Sequence, residues 1–380
     1  MTPIDQPVLT VRSIADLIAV VPYLFSFHPT DSIVLVGMRD RQVAFAARRD
    51  LPDPHGGTAA EENSEIRDTA GYLAAVIARQ DVTDATIIGY GPAARVTPMV
   101  DEVRAALDRH RVTIRDALRV TDGRYWSYLC DNPRCCPPEG VPFDQESSRI
   151  AAAATFAGQV VLPDRTALAQ RIAPVTGAGR LSMRQATSRA IDRLAALLAT
   201  APAHGRRDEE VVRRAGEPAV RAALDRYRDG GVLTDDEVAW LSLLLNDLGV
   251  RDYAWERTDG TDWHLALWTD VVRRAEPEQT PAPACLLAFT AWRIGQGALA
   301  TLALDRALEI RPDYSMALLL ADLLHRGVPP ATLDGWPQLL REPRPDADRQ
   351  PGRSGARRPQ RRRGGRRAGP GQPMRRLPPV

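Results

Sequence analysis

No lysine occurs in these 380 residues; all 50 basic side chains are arginine. That absence removes several chemistries. A P-loop requires a lysine on the nucleotide phosphates, and pyridoxal phosphate proteins and other Schiff-base catalysts require a lysine amine. Arginine stays protonated at all accessible pH and supplies no nucleophilic amine. Cysteine is scarce as well, at four residues, too few for a secreted disulfide framework of this size. The amino-terminal stretch lacks the basic region and unbroken apolar core of a signal peptide. No apolar run approaches the roughly 20 residues that cross a bilayer, since Asp16 and Pro22 interrupt the best early candidate. A cytoplasmic protein with no membrane role is expected.

What is present suits a globular chain. The apolar fraction of 44% is ample for buried cores, and the length allows two domains at the usual ~100 to 200 residues each. Charge is unevenly placed: residues 341–380 hold 13 arginines against three acidic residues, while the preceding body is mildly acidic. Arginine, proline and glycine dominate that tail and no periodicity survives, which predicts disorder. Its Arg361, Arg362, Arg363, Arg366 and Arg367 offer at most weak, non-specific attraction to anions or nucleic acid, because no aromatic or base-reading residue is interleaved.

Patterning predicts an α/β front and a helical rear. Ser13 with Asp16 reads as a capping box, followed by Ile14, Leu17, Ile18 and Val21 at helical spacing as far as Pro22. Ser32 to Val36 and Gln42 to Ala47 read as a hairpin, Glu61 to Gln80 and Ala93 to His110 as helices, and Ala85 to Gly89 and Val112 to Val120 as strands. This alternation argues for an α/β layer with a mixed sheet. Beyond about residue 145 the pattern is helical. Windows run over Ser148 to Gly158, Ser182 to Ala201, Asp208 to Arg228, Thr234 to Leu248, Thr261 to Ala275 and Cys285 to Gly295. Thr234 and Glu237 form a second capping box. Ala288 to Tyr314, with its Gly295-Gln296-Gly297 turn, is similar to half of a tetratricopeptide repeat, and it suggests a helical hairpin that could present a groove to a protein partner. The expected divisions are an α/β domain over 1–165, a helical region over 166–340 and a disordered basic tail over 341–380.

The densest chemistry lies between Gly123 and Gly140, where Cys130, Cys135 and Cys136 sit among three prolines beside Tyr125, Trp126 and Tyr128. Three readings stand. Paired zinc ligands usually follow a C-x2-C spacing, whereas adjacent cysteines tend to point apart, so a zinc site here would need a distant ligand such as His28 or Cys285. A redox role would rest on Cys130 reaching Cys135 across the turn, with Arg124 and Arg134 lowering a thiol pKa. The reading that asks least is a packed structural corner between the two halves, in which the thiols act as small apolar groups.

Other motifs are weaker. Gly89, Gly91 and Ala94 satisfy a dinucleotide fingerprint between a strand and a helix, with Asp116 roughly where a ribose partner would stand. Pro92 removes an amide from the turn that should cradle pyrophosphate, so a tight turn with proline near the helix start explains the residues better. His28, Asp31 and Ser32 lack a nucleophile elbow and read as a local turn. Arg49 and Arg124 are candidate anion-binding residues. With Asp50 and the thiols they would converge if the chain were an enzyme for a small anionic metabolite or nucleotide, acting in a cleft near the strand ends. No catalytic residue, cofactor or resident metal is assigned.

The segments from Ser13 through Pro22 to Pro29, Asp31 to Val36, Arg49 to Pro52, Gly123 to Tyr128 with Cys130 and Cys135 to Gly140, and Ala291, Trp292 with Ala303 to Ala307 resemble the family catalogued as domain of unknown function 4192. The resemblance spans roughly residues 9 to 335. It implies a cytoplasmic protein of high-GC Gram-positive bacteria, in keeping with the arginine-only composition, and it brings no catalytic residue or cofactor with it. A non-enzymatic interaction or regulatory protein is therefore the favoured expectation.

Overall fold

The computed structural model describes residues 12–39, 42–53, 57–145, 148–156, 158–200 and 207–334. The basic tail over 341–380 lies outside them. Helix α1 (Ile14–Phe25) starts as its capping box predicts: Ser13 Oγ accepts from the Asp16 amide at 3.1 Å, and the Asp16 carboxylate accepts from the Ser13 amide at 3.1 Å. Pro22 does not end it. The helix runs one turn further to Ser26, which takes the left-handed conformation at φ 66°. Proline removes one backbone hydrogen bond, but Val20, Val21 and Pro22 are all buried here, and that packing outweighs the lost bond.

A six-stranded sheet follows, built from β1 (Ser32–Arg39), β2 (Gln42–Asp50), β3 (Asp84–Tyr90), β4 (Ile114–Thr121), β5 (Arg124–Ser127) and β6 (Val141–Pro142). Its order is β2-β1-β3-β4-β5-β6. Only the β3 and β4 pairing is parallel; the crossover between them passes through α3 (Ala93–Arg109), after α2 (Ala59–Ile77) has led from β2 to β3. Strand β1 is buried on both faces, with Ile33, Val34, Leu35 and Val36 each at 0% exposure. Ile33 and Leu35 share a core with α2 and α3, while Val34 and Val36 share one with α1 and Ile150 of α4 (Arg149–Phe156). The result is a three-layer mixed α/β domain. Strand β5 falls where a packed loop was expected. Asp122 at φ 50° and Gly123 at φ 69° make the tight turn that returns it beside β4.

The rest is helical: α5 (Arg165–Gln170), α6 (Gly177–Ala199), α7 (Arg207–Arg228), α8 (Asp235–Leu244), α9 (Leu248–Trp255), α10 (Asp262–Arg274), α11 (Pro281–Arg293), α12 (Gly297–Ile310) and α13 (Ser315–His325). The predicted single helix from Thr234 to Leu248 is two. Thr234 and Glu237 cap α8 reciprocally, and Asp247 then caps a fresh helix by accepting from the Val250 amide at 3.0 Å. Helix α11 is apolar on every side and buried from Pro281 to Trp292, as a helix at the centre of a bundle must be. No helix among the described residues is long and apolar enough to cross a membrane. The two halves share a seam: Phe27, just past α1, belongs to the helical core at 1% exposure, and Ser26 and His28 exchange backbone hydrogen bonds with Leu162 at 2.9 and 3.0 Å.

Two stability predictions follow from this packing. A Cβ at Gly89 would overlap Cγ1 of Val96 on α3, so Gly89→Ala should cost about 1–3 kcal/mol by overpacking. In urea titrations the double variant Gly89→Ala/Val96→Ala should lose clearly less than the sum of the singles; additivity would show that this approach does not hold α3 to the sheet. Second, burial pushes the pKa of His264 on α10 down from 6.5 to about 4, and its Nδ1 accepts from the Asp259 amide at 3.3 Å. Because the folded value lies below the unfolded one, stability is full above about pH 6.5. It falls as pH drops from there toward 4, by at most about 3 kcal/mol. His264→Gln should flatten that slope in acid titrations of stability.

Candidate functional site

Strand β2 is an edge strand, and its backbone phase can be read from one bond. Leu51 donates to the Asp31 carbonyl at 2.8 Å in the ladder that pairs Ser32 with Asp50 and Leu35 with Ala47. Antiparallel pairs alternate in their hydrogen bonding. Hence Phe45, Ala47 and Arg49 turn their amides and carbonyls to β1, and Ala46, Arg48 and Asp50 turn theirs outward. No backbone group among the described residues meets these outward groups. The pairing of Gly37 with Phe45 and of Met38 with Val43 leaves Ala44 as an extra residue, a bulge of the kind found at sheet edges.

This open edge lines a cleft of about 1040 Å³. Every residue from Val43 to Asp50 contributes, from both faces of the strand, so the cleft runs along the edge rather than over one face. Phe25 and Phe27 contribute from the end of α1, and the facing wall comes from α12 and α13 through residues such as Thr301, Leu304 and His325. A layered stack ties the two sides together. Tyr72 of α2 stacks on His325 with centroids 4.4 Å apart, and the Arg49 guanidinium lies 4.6 Å from the Tyr72 ring. Gln80, just past α2, donates to the Gly327 carbonyl at 3.0 Å, and Trp292 of α11 donates to the Val328 carbonyl at 3.1 Å. A side chain at Gly327, which sits at φ 64°, would come within 2.7 Å of Val76.

The charges in the cleft are largely matched internally. Arg48 pairs with Asp50 at 2.6 Å and lies 5.3 Å from the Phe27 ring. Arg165 pairs with Asp305 at 3.5 Å, whose carboxyl is raised from its ordinary value by burial, with Arg165 opposing. One donor is left over: Nε of Arg48, on a side chain only 10% exposed, is buried without a hydrogen-bond partner.

The thiol loop is a second place, after β5. Tyr128 donates its amide to Ala117 at 2.7 Å, and the Asn132 carbonyl accepts from both Cys135 and Cys136 amides at 3.1 and 2.8 Å. The Asn132 side chain accepts from the Arg134 amide at 3.0 Å. Trp126 donates to Pro138 at 2.9 Å, Arg124 to Gly140 at 2.8 Å and to Glu139 at 3.2 Å. Gly140, at φ 81°, leaves no room for a Cβ beside the Trp126 ring. Thus anchored, Cys130 and Cys135 place their sulfurs 3.1 Å apart, and all three sulfurs lie within 4.8 Å of one another. The adjacent cysteines do not point apart, because the turn wound on Asn132 folds both back on Cys130.

Three expectations need correction. The thiols are half-exposed or exposed rather than packed as core, and their loop joins β5 to β6 instead of linking the sheet to the helices. The distant ligands do not arrive: Cys285 is buried in α11, and among the described residues no histidine or carboxylate joins the sulfurs. Nor do arginines set the thiol acidities. Cys130 is held below its ordinary pKa chiefly by a hydrogen bond from the Cys135 thiol, then by the Asn132 amide and Cys136. Cys135 is raised, mainly because it donates to Cys130, and Cys136 is pushed up to about 12 by desolvation and by donation to its neighbours.

The proposed convergence of Arg49, Asp50, Arg124 and the thiols is absent. Arg49 and Asp50 end β2 beside the start of β1, whereas Cys130 follows the end of β5 beside the start of β4. These are opposite ends of the sheet, and β1, β3 and β4 intervene. Four strand spacings of about 4.8 Å give roughly 19 Å across the sheet alone. Asp116 fails as a ribose partner for the same reason: it pairs with Thr86 at the start of β3, away from Gly91, and its carboxylate accepts from Ser127 Oγ at 2.8 Å. Asp31 is engaged by Arg95 on α3, not by His28.

With these environments, iodoacetamide at mildly alkaline pH should label Cys130 first, then Cys135, then Cys136, with Cys285 last, its thiol pushed up to about 12 by burial. Peptide mass mapping over a time course reads the order, and faster labelling of Cys136 than Cys130 would show the hydrogen-bond assignment to be wrong.

The sequence profile of the family described as Domain of unknown function (DUF4192) matches residues 15–331. No curated protein and no solved structure matches the chain.

Proposed function

The chain belongs to the DUF4192 family, and from that premise we propose that it is a non-enzymatic interaction protein whose cleft receives an extended segment of a partner polypeptide as an added strand on β2. The observation that carries this reading is the outward backbone of Ala46, Arg48 and Asp50, left without backbone partners along a cleft of about 1040 Å³. An extended peptide offers main-chain donors and acceptors at the matching spacing. Main-chain bonds are worth only about 1 kcal/mol net each, so affinity also draws on apolar side chains meeting Phe25, Phe45 and Leu304, which line the cleft.

A small anionic metabolite fits the cleft less well. Arg48 and Arg165 already face carboxylates, and Arg124, the other candidate anion ligand, spends its guanidinium on two carbonyls of the thiol loop. These three guanidiniums lack the uncompensated charge that a phosphate or carboxylate ligand needs, and Arg49, which no carboxylate pairs among the described residues, is held over the Tyr72 ring.

Panning a displayed library of random peptides on the full chain should enrich sequences that bind in the cleft. Ala46→Pro removes one outward amide and places a ring against the incoming strand, while an edge position tolerates proline. Titration calorimetry of a selected peptide should show binding weakened at least about tenfold, the equivalent of about 1.4 kcal/mol. Thr301→Trp, which fills the cleft from α12, should do the same, with unchanged unfolding transitions for both variants. Peptides that bind both variants as well as the parent chain would sink the proposal.

A further inference from the structure

We propose that Cys130, Cys135 and Cys136 form a three-thiolate site for a zinc ion whose fourth coordination position faces solvent. The three sulfurs already lie within 4.8 Å of one another, with the closest pair at 3.1 Å. Zn–S bonds of about 2.3 Å in a tetrahedral site set sulfurs roughly 3.8 Å apart, so small side-chain rotations bring all three to one ion. The backbone needs no remodelling. Asn132 holds the Cys135 and Cys136 amides, and Trp126 and Arg124 pin the carbonyls of Pro138, Glu139 and Gly140 from outside the turn. The loop is thus shaped mainly by bonds that do not involve the sulfurs; the Cys135 thiol also donates to Cys130 and, at 3.5 Å, to the Asn132 carbonyl, and these bonds are released when it binds the ion as thiolate.

Donor type and exposure set the ion and its coordination. Three sulfur donors without a histidine or carboxylate among the described residues select a soft or borderline ion. Three thiolates within 4.8 Å of one another gather negative charge that a dication neutralises better than a monocation does. Cys135 is exposed and its two companions half-exposed, which gives the ion an entry path and leaves room for water or an external donor as the fourth ligand. That arrangement of three protein ligands and one open position is the one that catalytic zinc sites use. Binding forms three Zn–S bonds and releases to solvent whatever thiol protons remain, and no electrons are transferred.

The test uses the full chain, reduced and stripped of metal, titrated with Zn²⁺ and, as a spectroscopic probe, Co²⁺. One equivalent should bind per chain, Co²⁺ should give thiolate-to-metal charge-transfer bands with d–d bands of tetrahedral strength, and Zn²⁺ should protect three of the four thiols from a disulfide reagent. Cys285→Ala should leave all of this unchanged. Cys130→Ser, Cys135→Ser and Cys136→Ser should each weaken binding by more than about 100-fold, since loss of outer-shell partners alone costs 10–100-fold, while circular dichroism shows each variant folded. The proposal falls if Zn²⁺ leaves thiol reactivity unchanged, or if the cobalt spectrum persists in any one of the three serine variants.

Discussion

Phe27 is the pivot of the molecule. It leaves α1 in the sheet domain, yet its ring is 1% exposed inside the helical core. Burying a phenyl ring contributes roughly 1.5–3 kcal/mol, and the paired backbone bonds of Ser26 and His28 to Leu162 fix the direction from which it enters. The ion pair between Arg165 and Asp305 holds its side chains at 40% and 52% exposure, a setting in which such pairs contribute about 0–1 kcal/mol. The position of the helices against β2 is therefore set by apolar burial and stacking rather than by charge. The cleft inherits its floor from that seam, and the Arg48 guanidinium resting over the Phe27 ring couples the seam to the strand edge.

Much of the framework was legible because local chemistry and tertiary structure agree. Ser13 with Asp16 and Thr234 with Glu237 start helices where they stand, and Gly295 turns α11 into α12 at φ 79°. Reading failed where burial overrode a local rule, as at Pro22, or where a conspicuous side chain drew attention from the backbone. Asp122 and Gly123 are a strong hairpin signal that places β5, but the aromatics and thiols after them suggested a loop. The break at Asp247 was hidden by apolar periodicity that continues through it.

The two candidate sites were legible to different degrees. Residue types alone singled out the thiols, but their convergence depends on a turn around Asn132 whose hydrogen bonds have no periodic signature. The cleft was legible only in pieces: Arg49, Asp50 and the helical hairpin around Gly295 and Gly297 were each singled out and each line it, but nothing in the sequence brings them to one place. Its walls, β2 and the helices α12 and α13, lie some 250 residues apart in sequence, as the 247-residue separation of Gln80 and Gly327 illustrates. Whether a strand is an edge or a centre is a property of topology, not of its own residues. Arg49 and Arg124 were grouped because both are cations near strand ends, and only the strand order separates them.

An exposed sheet edge is normally a hazard, since it can template the growth of foreign sheets. Here α12 and α13 stand across from β2 like a fence. Their bulk stands where the broad flank of another folded sheet would have to come, whereas the single extended segment proposed above asks for much less room. Steric screening of this kind lets the protein keep unsatisfied backbone on its surface without inviting self-assembly into fibres.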